Sequence, residues 1–127
     1  MSQSTGIHDK TLKAGANLSA KQYYIVKMCS ATTPYGVILG AAVTDKLLGV
    51  LQNEPAMNEE AVVRVEGTTK VLATATVVIG DWVTVYTDGM ATPSAVDKDV
   101  IIGLALESSA AAGDVIEILL THFTNSK

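Results

Sequence analysis

The chain has 127 residues and a mass of 13.3 kDa, which fits a single domain built around one hydrophobic core. Its net charge is −4 and its nine basic residues are scattered, whereas nucleic-acid-binding proteins concentrate Lys and Arg to neutralise phosphates, so we expect no nucleic-acid partner. Because 48% of the residues are hydrophobic and only 17% are charged, we predict that other chains cover part of the surface.

The cysteine content and the N-terminal sequence indicate the cellular compartment in which the protein is made and kept. The single cysteine, Cys29, excludes an internal disulfide and a cysteine-based zinc site, and it fits a reducing environment. Residues 1–13 lack the apolar run of a signal peptide, and no stretch reaches the roughly 18 apolar residues that span a bilayer. We therefore expect a protein of cytosol-like conditions with no membrane partner.

The first 20 residues differ in composition from the rest of the chain. They are polar, and Ile7, Leu12 and Leu18 are their only large apolar residues after the initiator methionine. Chain ends of this kind are commonly disordered unless something holds them. The sequence predicts an extended N-terminal arm over residues 1–20 and a single β-rich domain over residues 21–127.

From Tyr23 onward, short β-prone runs alternate with Gly, Pro, Asn and Asp. In the last run, Ile116, Ile118 and Leu120 share a face opposite Glu117. The runs predict strands at Tyr23–Met28, Val37–Ala42, Leu48–Gln52, Ala61–Glu66, Lys70–Ala73, Trp82–Tyr86, Val100–Leu106 and Val115–Leu120.

Turn residues between these runs support the assignment. Glu66-Gly67-Thr68 and Asp88-Gly89 suit tight turns that need φ > 0. Gly80-Asp81 and Gly113-Asp114 each precede a strand, where the Asp side chain can accept hydrogen bonds from nearby backbone N–H groups. Closely spaced strands of this kind predict an all-β fold, either a compact small barrel or a sandwich.

Helical turns are indicated only at Ala56–Ala61 and Ser108–Ala112. A weak internal repeat is also present, since Leu48-Gly49-Val50-Leu51 resembles Ile102-Gly103-Leu104-Ala105 and each is followed by a loop and a strand. The repeat suggests two similar hairpin units that face each other across a core.

Reactive side chains form no recognised catalytic pattern. His8 and His122 lie in no motif that would supply a base with an orienting partner, and no nucleophile elbow exists. Cys29 follows an apolar strand, so we interpret it as a small buried hydrophobic residue rather than as a reactive thiol.

Carboxylate pairs occur at Glu59-Glu60 and at Asp97-Lys98-Asp99, in loops of small or polar residues. The second pair lacks the further oxygens and the distal Glu of a calcium loop, so we interpret both as solvated turns. We therefore expect no catalytic residue, no cofactor and no bound metal.

Trp82 is the only tryptophan. Strand alternation places Trp82, Thr84 and Tyr86 on one face, opposite Val83 and Val85. If the valines fill the core, the aromatic side chains face outward, where Trp and Tyr are typical interface anchors. The alternative is that Trp82 caps the end of a barrel.

Longer segments carry a family resemblance: Ala14–Tyr24, Gly49–Ala56, Val63–Val71, Gly103–Glu107 and Ala111–Leu120. Over residues 13–120 the chain resembles small capsid cement (decoration) proteins of tailed phages, of the DUF2190-like group. The phrase G-V-L-Q-N-x-P within the second segment is the most distinctive part of the resemblance.

The resemblance implies a β-rich subunit, often trimeric, that lies on the outer capsid surface where capsomers meet and strengthens the shell. Its partners would be the major capsid protein and further copies of the chain in a homotrimer, after synthesis in the host cytoplasm. The resemblance implies neither catalytic residues nor a cofactor. It leaves an open barrel and a β-tulip-like fold as alternatives.

We expect the interfaces to include residues of the arm, which would reach the capsid or a neighbouring subunit, and exposed aromatic residues. Two other functions remain open: a different virion component, such as a head-fibre base or a tail protein, and a small ligand-binding β-barrel with a concave apolar pocket. The predicted interface residues are Ile7, His8, Lys10, Leu12, Lys13, Tyr35, Trp82 and Tyr86.

Overall fold

The computed structural model describes residues 8–28, 36–41, 46–74, 76–94 and 100–124. Apart from a short 3₁₀ turn at Thr87–Gly89, the regular elements of these residues are all strands, which confirms the predicted all-β class. They are β1 (His8–Ala14), β2 (Ile25–Met28), β3 (Gly36–Leu39), β4 (Leu47–Leu51), β5 (Glu60–Glu66), β6 (Thr68–Leu72), β7 (Trp82–Val85), β8 (Ala91–Pro93), β9 (Val100–Ala105) and β10 (Val115–Thr124).

Strands β1 to β5 form a closed barrel in the order β1-β3-β2-β4-β5. The β1–β3 pair is parallel, and the other pairs are antiparallel. Strands β4 and β5 approach closely because Gly49 has no side chain; a Cβ at this position would overlap the carbonyl oxygen of Arg64. The barrel therefore requires glycine at this position of β4.

Strands β6 to β10 form a second sheet in the order β6-β10-β9-β7-β8, and its pairs are antiparallel. The chain passes from the barrel to this sheet through Gly67, at φ +95°, so the predicted tight turn connects two sheets. A parallel bridge between Ala73 and Ala91 joins the segment after β6 to β8. The two outer strands of the sheet are thereby brought together.

Two hydrophobic clusters hold the structure together. The barrel cluster contains Val26 of β2 and Leu51 of β4, together with Ala14, Leu18, Val37, Ala61 and Val63. The second cluster contains Ile25 of β2 and Val50 of β4, packed with residues of the second sheet such as Val83, Ile116 and Ile118. Because β2 and β4 contribute to both clusters, the barrel and the second sheet share one apolar interior.

Two turns of the same design precede β7 and β10. Gly80 and Gly113 adopt φ of +92° and +93°, and an Asp follows each of them. The Oδ2 atom of Asp81 accepts a hydrogen bond from the Val78 N–H at 3.0 Å. Asp114 Oδ2 accepts two, at 2.8 and 3.1 Å. The predicted pairing of Asp side chains with nearby backbone N–H groups is confirmed.

The Asp88-Gly89 turn also has the predicted conformation, with φ of +64° and +76°. It connects β7 to β8, and the Tyr86 N–H closes it by donating to the Met90 carbonyl at 2.7 Å. The face assignment in β10 is confirmed as well, since Ile116, Ile118 and Leu120 lie in the core.

The structure differs from the sequence-based prediction in four places. Residues 8–14, expected in an extended arm, form strand β1 of the barrel, and β8 was not predicted. Neither Ala56–Ala61 nor Ser108–Ala112 is helical. In the second segment the Ser109 hydroxyl accepts a hydrogen bond from the Val77 N–H at 2.9 Å, and these residues form a β-bridge instead.

The two members of the internal repeat are antiparallel pairs, β4–β5 in the barrel and β9–β10 in the second sheet. A Cβ at Gly103 would lie 2.6 Å from the Leu119 carbonyl oxygen, so Gly103 has the same role in β9 as Gly49 in β4. Both pairs contribute residues to the shared apolar interior.

We predict that Gly49→Ala lowers the free energy of unfolding by about 3 kcal/mol, because the strands must separate to admit the methyl group. Gly80→Ala is the matched control: its Cβ would meet nothing within 4 Å, so only its positive φ opposes the change, at a cost of roughly 1 kcal/mol. Urea unfolding of both variants measures the difference. Equal losses of unfolding free energy in the two variants would show that the close contact between β4 and β5 is not the reason for glycine at position 49.

Candidate interaction surfaces

Strand β1 and the facing part of β5 form a polar two-stranded surface, here called the β1–β5 ribbon (residues 8–13 and 60–66). Lys10 lies on the same face of β1 as Leu12 and Ala14. Ala14 is fully buried, Leu12 is half-buried and Lys10 is exposed. On β1 the burial therefore ends at Leu12 and residues 8–11 are exposed, whereas Val63 and Val65 of the facing strand still pack in the barrel cluster.

An ion pair fastens the two strands of this ribbon. The Nε atom of Arg64 donates to Asp9 Oδ1 at 2.8 Å, and a second guanidinium nitrogen donates to Oδ2 at 3.3 Å. Arg64 also donates to the Thr68 carbonyl at 3.3 Å, across the turn into the second sheet. The hydrogen bond with Asp9 raises the pKa of the Arg64 guanidinium, so this side chain remains charged throughout the accessible pH range.

The other charged contacts of the ribbon are weaker. His8 Nδ1 lies 3.5 Å from Glu66 Oε1, and both side chains are about two-thirds exposed.

A shallow groove at the base of the ribbon is lined by Leu12, Lys13, Asn58 and Glu59, among others. Glu59 Oε1 accepts a hydrogen bond from the Ala56 N–H at 2.8 Å, so this carboxylate stabilises its own loop. The groove is open and mixed in polarity, unlike an enclosed ligand pocket.

Trp82 and Tyr86 lie on the second sheet, at the start of β7 and just after its end. Val83 and Val85 are fully buried, whereas Trp82 is 42% and Tyr86 53% exposed. The prediction that the valines fill the core while the aromatic side chains face outward is confirmed. Thr84 is the exception on the outer face: it is buried, and its hydroxyl donates to the Val100 carbonyl at 2.7 Å.

The structure also reveals an apolar row that the sequence analysis missed. Leu119 of β10 pairs with Leu104 of β9, which pairs with Trp82 of β7, so three neighbouring strands place these side chains side by side. The alternation that assigns Ile118 and Leu120 to the core also assigns Leu119 and Val115 outward. These two apolar residues on the predicted outer face of the last strand are the sequence signal from which the row could have been found.

The predicted interface residues fall into separate parts of the fold. His8, Lys10, Leu12 and Lys13 belong to the β1–β5 ribbon of the barrel, and Trp82 and Tyr86 belong to the second sheet. Ile7 and Tyr35 lie outside the described residues. The structure thus divides the predicted interface into a charged surface and an apolar one.

No arrangement typical of a metal centre occurs in the described part of the chain, where no three His, Cys, Asp or Glu side chains are grouped closely enough to hold an ion. Cys29, Asp97 and Asp99 lie outside the described residues, and the side chain of His122 is not described. Among the described residues, no helix has the length and hydrophobicity required to cross a membrane.

Comparison with known proteins decides the family. A family model described as phage cement protein matches residues 2–120. The chain belongs to the phage cement protein family. No curated protein sequence matches this cement protein. Among solved structures it is similar to the N base of head fiber gp8.5 of bacteriophage phi29, with a TM-score of 0.69 and 19% sequence identity, over 91% of this chain and 94% of that one.

The family phrase Gly49–Ala56 supports the cement protein's own fold. Asn53 acts as an extra strand residue, since its side-chain amide donates to the Glu60 carbonyl and accepts from the Val62 N–H, both at 3.0 Å. Gln52 donates to the Thr69 hydroxyl of the second sheet at 2.7 Å. The phrase therefore connects β4 to β5 and the barrel to the second sheet.

We predict that Asp9→Asn lowers the free energy of unfolding by about 1 kcal/mol, because it removes a partly exposed but bidentate ion pair between β1 and β5. Glu66→Gln, in the more exposed pair with His8, is the control and should leave stability unchanged within error. Thermal unfolding at low and at high salt makes the comparison, and the loss should shrink when salt screens the pair. Equal stability of the two variants would contradict a role of Asp9 in fastening β1.

Proposed function

We propose that this cement protein binds the outer surface of a phage capsid at capsomer junctions, contacts the major capsid protein and stabilises the shell. The observation that carries the proposal is the family match over residues 2–120. The role is structural and non-enzymatic. In this role the protein is synthesised in the host cytoplasm and then lies on the virion surface.

The β1–β5 ribbon is the surface that we assign to the shell. It carries charges of both signs, with Lys10, Lys13 and Glu66 exposed, and residues 8–11 of its β1 strand are exposed to solvent. A polar, wet contact of this kind suits docking between proteins that fold separately. The chain before His8 continues from the ribbon, so the N-terminal segment would reach the shell from the same place.

Repetition supplies the strength that a single polar contact lacks. A homotrimer at a symmetric junction engages the shell through several copies at once, and each further contact becomes intramolecular once the first has formed. The trimer is therefore part of the proposal. Weak individual contacts are then compatible with firm attachment.

A second candidate function is the base of a head fibre. It is favoured by the similarity to the phi29 head-fiber N base, which extends over nearly the full length of both chains. A fibre base would occupy few attachment sites, whereas a cement subunit would occupy the repeated junctions of the shell. Copy number per particle separates the two.

The central experiment is co-sedimentation of the purified protein with undecorated phage heads. We expect saturable binding at a copy number that matches the repeated junctions, together with greater resistance of the heads to heat. Saturation at a few copies per head would favour the fibre base. Absence of binding would contradict both functions.

We predict that Lys10→Ala combined with Lys13→Ala weakens binding to heads by roughly tenfold and reduces its salt dependence, because charged rim contacts are lost. Lys21→Ala combined with Lys46→Ala removes the same charge from positions outside the ribbon and is the matched control. Equal binding of the two double variants would show that the ribbon is not the docking surface.

Deletion tests of the N-terminal segment must end before His8, because β1 is part of the barrel. We predict that removal of residues 2–7 leaves the thermal unfolding temperature unchanged but weakens head binding. Unchanged binding after this deletion would show that the segment does not contribute to attachment.

A further inference from the structure

The outer face of the second sheet carries an apolar surface that the docking ribbon does not use. Its centre is the row formed by Leu119, Leu104 and Trp82 across β10, β9 and β7. The reverse side of the same strands lies in the core, as Ile118 and Val83 show. The row therefore points away from the protein.

The turn before β7 extends this row. The Gly80 N–H donates to the Ala105 carbonyl at 2.8 Å, and the Ile79 N–H donates to the Ser108 hydroxyl at 2.9 Å. These bonds hold Val78 and Ile79, which are 54% and 62% exposed, beside the end of β9. We call the row together with Val78, Ile79, Leu106 and Val115 the apolar face.

The size of the apolar face suits the centre of a permanent contact. The exposed parts of its side chains amount to an area on the order of 500 Å², near the upper limit of about 600 Å² for the largest apolar patch on an ordinary monomer. A standard interface buries roughly 800 Å² on each partner, with an apolar centre and a polar rim. The apolar face would fill such a centre.

Charge favours a second copy of this chain as its partner. The row itself contains no charged side chain. Beside it, Glu117 pairs with Lys70, and the Glu107 carboxylate accepts a hydrogen bond from the Glu117 N–H, so the charged groups border the row rather than lie within it. Copies that each carry a net charge of −4 can therefore bring their uncharged rows together with the acidic groups at the rim of the contact.

The difference in polarity between the two surfaces also favours a second copy of this chain as the partner of the apolar face. Permanent contacts between identical subunits are the more apolar class of interface, whereas contacts between separately folded proteins are more polar. The charged β1–β5 ribbon, assigned to the shell, belongs to the barrel and not to the second sheet. Every copy also carries the apolar face before it binds a phage head, so copies can associate in solution.

We infer that copies of this chain associate through the apolar face of the second sheet. The inference rests on the proposed function for the trimer, and it identifies the surface that forms it. The β1–β5 ribbons of the assembled copies then remain available to the shell.

The test is the mass of the full-length protein in solution, measured by sedimentation velocity over a range of concentrations. Wild-type protein should form a trimer, and Leu119→Glu and Trp82→Glu should each raise the dissociation constant at least about 30-fold, since charge is placed in the centre of the contact. Met57→Glu is the matched control: Met57 is 58% exposed in a loop of the barrel, and its substitution should leave the trimer intact.

Circular dichroism checks that each variant is folded. Val115→Glu, at the start of β10 and 46% exposed, provides the same test if either central variant fails to fold. A wild-type protein that stays monomeric at every concentration would overturn the inference. So would folded face variants that keep the wild-type mass.

Head binding separates this inference from the proposed function. If Leu119→Glu keeps the wild-type mass but no longer sediments with heads, the apolar face binds the shell; the inference is then wrong while the proposed function stands. If the wild-type protein associates through this face but does not bind heads, the inference stands and the proposed function fails.

Discussion

Strands β2 and β4 are buried on both faces, and the rest of the fold depends on this constraint. Val26 and Leu51 fill the barrel, while Ile25 and Val50, on the same two strands, would be exposed to water if the barrel stood alone. Burying a side chain of this size is worth about 1.5–3 kcal/mol, so a barrel without the second sheet would lose much of its stability. The second sheet is therefore a requirement of the barrel rather than an appendage to it.

The segment Gly49–Ala56 connects the barrel to its neighbours in the fold. Gly49 permits the close contact of β4 with β5, Gln52 reaches Thr69 on the second sheet, and Asn53 completes the backbone pairing of β5. Each of these residues stabilises the structure from within. The segment thus supports the fold, whereas the two candidate interaction surfaces lie on other residues.

The two surfaces of this cement protein differ in how they are supported. The β1–β5 ribbon is held by backbone pairing and the Asp9–Arg64 ion pair; its β5 strand is anchored in the core through Ala61 and Val63, whereas residues 8–11 of β1 are exposed. Segments with few buried contacts open at lower free energy than the core, which allows a docking strand to adjust to its target. The apolar face is supported from behind by the shared core, and a rigid sheet suits a fixed contact between identical subunits.

The sequence by itself determined the local features of this protein. Alternation of apolar residues located most of the strands and assigned Ile116, Ile118 and Leu120 to the core, and Gly-Asp pairs located the turns, because these signals act between residues close in the chain. Tertiary structure alone decided the role of residues 8–14, whose polar composition resembles an arm and whose strand forms only by pairing with β5, about 50 residues away. Tertiary structure also decided which face of β2 and β4, the strands that are apolar on both faces, packs inside the barrel and which packs against the second sheet. It also placed Leu119, Leu104 and Trp82 in one row. Strand order and register depend on contacts between distant segments, which local patterns do not contain.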